Sequence, residues 1–150
     1  MNFFPDTSLL CALYREQHNS AQARACYTNL PESLGISPAV IFEFRQSVRL
    51  QVVLNTQDRG KGFRLKEAQK MLQAVQSDLD CGAVTIVPVD WPAVWLIAER
   101  VSAAHTTQRG NRSWDVLHVA TALHRGSRTL LSFDLRQRSL AAANGLGVAP

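Results

Sequence analysis

RSWDVLHVATALHRGSRTLLSFD, residues 112–134, places a helix and a strand in succession and attaches one aspartate to each. Val116, Val119, Ala120 and Leu123 recur at the spacing of a helix face turned toward a core. Ser113 stands where a side-chain oxygen can cap the first free N–H groups, and Asp115 follows in the first turn, where the helix dipole favours an acid. Thr129-Leu130-Leu131-Ser132-Phe133 then reads as a strand that ends on Asp134, and Leu135 to Ala143 reads as the next helix, stopped at Asn144-Gly145. Helix, strand and helix in this order are the repeating unit of a parallel sheet.

The same pattern runs through the rest of the chain. Asn2-Phe3-Phe4 is a short apolar strand stopped by Pro5, and Asp6 or Thr7 caps a helix from Leu9 to Glu16. A second helix is expected over 20–28 and a brief strand at Leu34-Gly35-Ile36. Pro38 suits the first turn of a long helix from Ala39 to about Leu54, with Val40, Ile41, Phe44, Val48 and Val52 on its apolar face and Glu43 at the margin. A carboxylate beside buried rows needs a partner or solvent. After a polar connector, 55–62, come a helix from Lys66 to Leu79, the strong strand signal of 83–89, a helix from Trp91 or Pro92 to about Ala104, and the basic loop Gln108-Arg109-Gly110-Asn111-Arg112. Leu146 to Ala149 is the last strand.

With 150 residues, 46% of them hydrophobic, one domain spanning 1–150 is expected to bury a substantial core. The start of the chain lacks a basic, apolar leader and no stretch is long enough to span a membrane, so a cytoplasmic protein without a membrane partner is expected. Cys11, Cys26 and Cys81 are odd in number and widely spaced, which points to reduced, partly buried thiols and to neither a disulfide framework nor a zinc site. Residues 1–100 hold ten Lys or Arg and ten Asp or Glu, whereas 101–150 hold six arginines and only Asp115 and Asp134. The whole net charge of +4 therefore lies in the last third, which favours a polyanionic partner there.

In a parallel sheet with helices on both faces, ligands bind outside the carboxyl ends of the strands. Asp6 and Asp134 each follow a strand, and Asp115 joins them if its helix starts on the same edge. Ionised carboxylates gathered there repel one another unless protonated or bridged by a cation, and an all-oxygen donor set favours Mg²⁺ or Mn²⁺.

Asp6 with Thr7, Glu43 in the third helix, Asp115 within Asp-x-x-His-x-Ala-Thr-Ala, and Asp134 in Ser132-Phe133-Asp134 together resemble the acidic quartet of the PIN domain family. Within that family the chain is similar to VapC-type toxin ribonucleases of toxin–antitoxin pairs. The resemblance covers essentially the whole chain. It implies a three-layer α/β/α sandwich with a central parallel sheet of four to five strands ordered 3-2-1-4-5, so that the strands ending in Asp6 and Asp134 are neighbours. It also implies Mg²⁺- or Mn²⁺-dependent cleavage of single-stranded RNA by a metal-activated water, with Asp6, Glu43, Asp115 and Asp134 as metal-holding and catalytic residues and Ser132 as a supporting hydroxyl. A cognate antitoxin protein and a homodimer are the partners implied. Pro5 before Asp6, and Ser132 in place of a common threonine, depart from the family's pattern.

Arg109, Arg112 and Arg136 are the candidate contacts to RNA phosphates. Asp90 also follows a strand, but the implied order puts it at the sheet edge, where it serves as a helix cap. His118 is expected to be packed or hydrogen-bonded rather than a metal ligand, and Trp114 is a candidate RNA contact. Aspartyl-phosphate phosphatases need a second carboxylate two residues after the first, where this chain has Ser8, and a receiver domain needs a late lysine, whereas the last one here is Lys70. A PIN-like module that binds RNA or protein without cutting is the alternative function.

Overall fold

A computed structural model describes residues 2–150. Five strands alternate with seven helices: β1 (Phe3–Pro5), α1 (Thr7–Tyr14), α2 (Ser20–Thr28), β2 (Leu34–Ile36), α3 (Pro38–Gln57), α4 (Leu65–Asp80), β3 (Val84–Ile86), α5 (Trp91–Arg109), α6 (Ser113–His124), β4 (Thr129–Leu131), α7 (Leu135–Ala143) and β5 (Gly147–Ala149). The architecture is the expected three-layer α/β/α arrangement of a helix-rich α/β protein. Helices α1 to α4 pack among themselves, as do α5, α6 and α7. The buried side chains of β1, β2 and β4, with Leu9, Val40, Phe44, Val119 and Leu140 from the helices, form one hydrophobic cluster.

The sheet departs from the expectation of four to five continuous strands. All pairings are parallel, but the strands form a three-stranded sheet, β1-β4-β5, and a separate pair, β2-β3. The neighbours match the 3-2-1-4-5 order, and β2 lies against β1 without pairing to it among the described residues. Pro5 supplies a physical reason. The Asp6 N–H donates to Leu131 O at 3.0 Å and Asn2 O accepts from Thr129 N–H, so the even-numbered residues of this segment face β4. Alternation turns Phe3 and Pro5 toward β2, and proline has no N–H to give.

Helix boundaries also shift. Helix α5 runs past the expected Ala104 and takes in Gln108 and Arg109 before Gly110, at φ 64°, ends it in the left-handed conformation that glycine accepts without strain. Strand β3 is confined to Val84–Ile86, shorter than the apolar run that announces it. Its follower Asp90 caps α5 by accepting from Ala93 N–H at 3.2 Å, as expected of an edge position. Cys11 and Cys26 are half-buried, but Cys81 is exposed. Among the described residues no helix is long and apolar enough to cross a membrane.

Candidate functional site

The register of β1 against β4 pairs Pro5 with Leu131, so the two strands end level and the chain leaves both on the same edge. Asp6 emerges there as the N-cap of α1, its carboxylate accepting from Leu9 N–H at 3.1 Å. Asp134 emerges as the N-cap of α7, where Oδ1 accepts from Arg136 N–H at 2.8 Å and Gln137 N–H at 3.1 Å. Asp115 lies in the first turn of α6, and its Oδ2 accepts from Arg112 N–H at 3.3 Å. The cap of α6 is Arg112; Ser113, the expected cap, is the first helical residue. Glu43 reaches the same place from the second turn of α3.

These four acids line one cavity of about 510 Å³, together with Thr7, Ser8, Arg112, Trp114 and His118. Around Asp6 the cavity wall is closed and tightly bonded. Asp6 is 1% exposed, and its carboxylate accepts from Ser8 Oγ at 2.6 Å and from Ser132 Oγ as well as from the α1 backbone. Ser132 in turn accepts from Asp134 N–H at 3.0 Å, and Ser8 accepts from Phe133 N–H at 2.8 Å. The two serines thus lock the turn after β4 to the turn after β1. Ser132, which the family resemblance implies as a supporting hydroxyl, donates to Asp6. Ser8, noted in the sequence only for not being a carboxylate, donates to the same aspartate at 2.6 Å.

Glu43 is held differently. Thr7 Oγ1 donates to its Oε2, and His118 Nε2 lies 2.7 Å from the same oxygen. His118 is 2% exposed, its ring stacked on Trp114 at 6.0 Å, and Trp114 in turn lies against Phe42. The sequence marks His118 as packed or bonded but gives no sign of its partner, because Glu43 lies 75 residues earlier and on another helix.

The electrostatics follow from these surroundings. Burial pushes the Asp6 carboxyl up, against the hydrogen bonds from Ser132, Ser8 and Leu9 that favour its charge. Burial also raises Asp115, aided by the charge of Asp134 and opposed by the Arg112 backbone bond. For Glu43 burial acts in the same direction, but the bonds from His118 and Thr7 and the charge of the imidazole outweigh it and hold the carboxyl below its usual value.

The donor set suits a hard divalent cation. Among the described residues, Glu43 Oε1, Asp115 Oδ1 and Asp134 Oδ2 accept no hydrogen bond, while the opposite oxygen of each is tied to the protein. Asp6 accepts three bonds of the roughly four a carboxylate can take. Among the same residues no three His, Cys, Asp or Glu side chains meet closely enough to form a ready-made cage. An open set of carboxylates fits Mg²⁺, which keeps several of its waters and is held through one or two carboxylates and substrate phosphates.

The three arginines separate. Arg112 lines the acidic cavity. Arg109 and Arg136 line a neighbouring cleft of about 330 Å³ with Asn111 and Ser139, and Arg109 Nη1 donates to Ser139 Oγ at 2.6 Å.

Fold and site together define an α/β protein that gathers carboxylates at the carboxyl edge of a parallel sheet, beside a basic rim. The chain belongs to the PIN domain family, whose sequence model matches residues 3–143. Among solved structures it is similar to Mycobacterium tuberculosis VapC20, described as a sarcin-ricin loop cleaving toxin, at 19% identity and a TM-score of 0.66 over 99% of each chain. It is also similar to FitAcB from Neisseria gonorrhoeae, at 17% identity and a TM-score of 0.66 over 99% of this chain and 96% of that one. Rickettsia felis VapBC2, solved with a DNA fragment from its promoter, aligns at 13% identity and a TM-score of 0.63, over 99% of this chain and 97% of that one. No curated protein matches the chain significantly.

Proposed function

We propose that this chain is a metal-dependent endoribonuclease, the toxin of a toxin–antitoxin pair, which hydrolyses RNA phosphodiester bonds at the cavity lined by Asp6, Glu43, Asp115 and Asp134. The observation that carries the reading is the placement of four acids from four separate elements around one cavity, three of them with an oxygen that accepts no hydrogen bond among the described residues. Membership of the PIN family and likeness to a toxin that cleaves the sarcin-ricin loop support it. Glu43, Asp115 and Asp134, with Asp6 behind them, would hold Mg²⁺ or Mn²⁺. When bound, such an ion supplies a Lewis acid that lowers the pKa of water and neutralises charge on the phosphodiester.

The chain's own residues do the rest. Ser132 and Ser8 fix Asp6, and the caps of α6 and α7 fix Asp115 and Asp134, so the acids present a constant geometry to the substrate. Arg112 at the cavity, with Arg109 and Arg136 in the next cleft, offsets the negative field of the acids and contacts the phosphates on either side of the cleavage point. The likeness to VapBC2 and FitAcB supports a cognate antitoxin as protein partner, and the arginine rim suits an acidic segment of it. A homodimer and a cytoplasmic setting complete the reading.

Purified protein with Mg²⁺ or Mn²⁺ and structured RNAs, set beside an Asp115→Asn variant, tests the proposal. The expected outcome is cleavage by the native chain and at least a ~10³-fold slower rate for the variant, equivalent to about 4 kcal/mol. Equal cleavage by both would refute the mechanism. Cleavage by neither favours the second reading, a PIN-fold module that binds RNA or protein without cutting, for which the lack of a close cluster of three or more His, Cys, Asp or Glu among the described residues is the supporting observation.

A further inference from the structure

His118 lines the cavity but has no task in the cleavage reaction. It lies in the middle of α6, flanked by Leu117 and Val119, in a helix buried from Val116 to Ala122. An apolar side chain is what such a position ordinarily takes. The imidazole is instead 2% exposed, with Nδ1 buried and without a partner among the described residues. A buried polar atom with no partner destabilises a fold, so packing gives no reason for a histidine here.

The other nitrogen supplies the reason. His118 Nε2 lies 2.7 Å from Glu43 Oε2, and Thr7 Oγ1 donates to that same oxygen. A carboxylate only accepts, so the hydrogen of the 2.7 Å bond sits on Nε2. Glu43 comes from α3, Thr7 from α1 and His118 from α6, so the contact joins three helices at one atom. The Glu43 side chain is 31% exposed, and left to itself a glutamate at that exposure samples many rotamers. With Oε2 held by two donors, Oε1 is the oxygen left to serve the cavity. Stacking against Trp114 fixes the plane of the imidazole that does the holding. Neither nitrogen of His118 is free for a metal, since Nε2 is occupied and Nδ1 is buried.

We propose that His118 is a positioning residue that fixes the Glu43 carboxylate, by the Nε2–Oε2 bond and jointly with Thr7, so that Oε1 takes a divalent cation in the cavity. The inference rests on the reading of Glu43 as a metal donor and adds a residue to it. Its consequence is a separation of stability from binding. Replacing His118 by leucine removes an unsatisfied nitrogen from the core, while Glu43, open to solvent, keeps its charge hydrated but loses its orientation.

Mn²⁺ affinity measured by titration calorimetry on the full chain tests this without recourse to cleavage, with thermal unfolding as the second readout. The variants are H118L, H118N, H118Q, E43Q and the double variant E43Q/H118L. Loss of a partner that orients a metal ligand weakens binding by roughly 10- to 100-fold, and that loss is expected for H118L with an unfolding midpoint close to that of the native chain, since the stabilising bond to Glu43 and the unpartnered nitrogen leave together. H118Q, whose amide can reach Oε2, should recover most of the affinity, whereas the shorter H118N should not. In the E43Q background H118L should change affinity less than about twofold, because the interaction it breaks is already gone. Native-like Mn²⁺ affinity in H118L, or a loss that persists undiminished in the E43Q background, overturns the positioning role and leaves the nuclease reading intact. A native chain that binds no Mn²⁺ overturns both. Should H118L fail to fold, H118N against H118Q in the two Glu43 backgrounds separates the same outcomes.

Discussion

On the strand side of the acidic cavity, Asp6 is 1% exposed and accepts from two serine hydroxyls and a backbone N–H. On the helix side, Glu43 is 31% exposed and takes its two bonds on one oxygen from Thr7 and His118. The two acids line the same cavity, yet burial raises the carboxyl of Asp6 while bonds and the imidazole's charge lower that of Glu43. Asp6 is positioned by strand ends and helix caps, which the backbone dictates. Glu43 is positioned by side chains arriving from other helices. One wall is a frame set by the backbone and the other an arm held by side chains.

Removing a carboxylate from each wall is the most forceful way to break the comparison. In single-turnover cleavage at saturating Mg²⁺, Asp6→Asn is expected to lose about 10³-fold or more, and Glu43→Gln about 10- to 100-fold, because the arm adds to a set the frame already orients. Equal losses would erase the distinction between them.

Smaller effects are expected from the supports. Ser132→Ala leaves the buried Asp6 oxygen without its donor and should cost about 1–3 kcal/mol in urea unfolding, whereas Thr7→Val should cost about 1 kcal/mol or less, since water replaces the bond at half-exposed Glu43. A larger loss for Thr7→Val would mean that Glu43 supports the fold more than the site.

The pH dependence of stability sharpens the contrast in sign. Asp115 has a raised carboxyl in the folded state, so its contribution is lost as pH rises from the ordinary aspartate range through the folded value. Glu43 has a lowered carboxyl, so its contribution is present above the ordinary glutamate range and is lost as pH falls through the folded value. Thermal unfolding at neutral pH should therefore find Asp115→Asn stabilised and Glu43→Gln destabilised, and the two differences should shrink toward zero in strong acid. Two shifts of the same sign at neutral pH would contradict the opposed carboxyl shifts. The smallest expected effect lies at the rim. Arg112→Ala and Arg136→Ala should each reduce the slope of log affinity against log salt by about 1 for an RNA spanning the cavity.

The strand-end acids were legible because their positions follow from local rules. A strand that stops on an aspartate before a helix puts that carboxylate at a cap and at the sheet edge at once, and for Asp6 and Asp134 the structure has both. Glu43 was legible only as a charge at the wrong place on an apolar helix. What completes it, Thr7 and His118, comes from elements 36 and 75 residues away, and no period or spacing links them. The setting of Arg109 was hidden for a related reason: the turn at Gly110 ends α5 later than the loop composition implies, and the side chain donates to Ser139 in the next cleft.

The amino-acid sequence by itself determined the alternation of strands and helices, the apolar core and the four acids, because periodicity, caps and turn residues are encoded within a few neighbours of each position. It also held Pro5, which has no N–H to offer β2. Only the tertiary structure decided that a histidine inside α6 would meet a glutamate on α3, that Ser8 and Ser132 would share one aspartate, and that Arg112 alone of the three candidate arginines would face the acids. Those outcomes depend on how whole helices are set against the sheet, which is fixed by the sum of the packing and by no local run of residues.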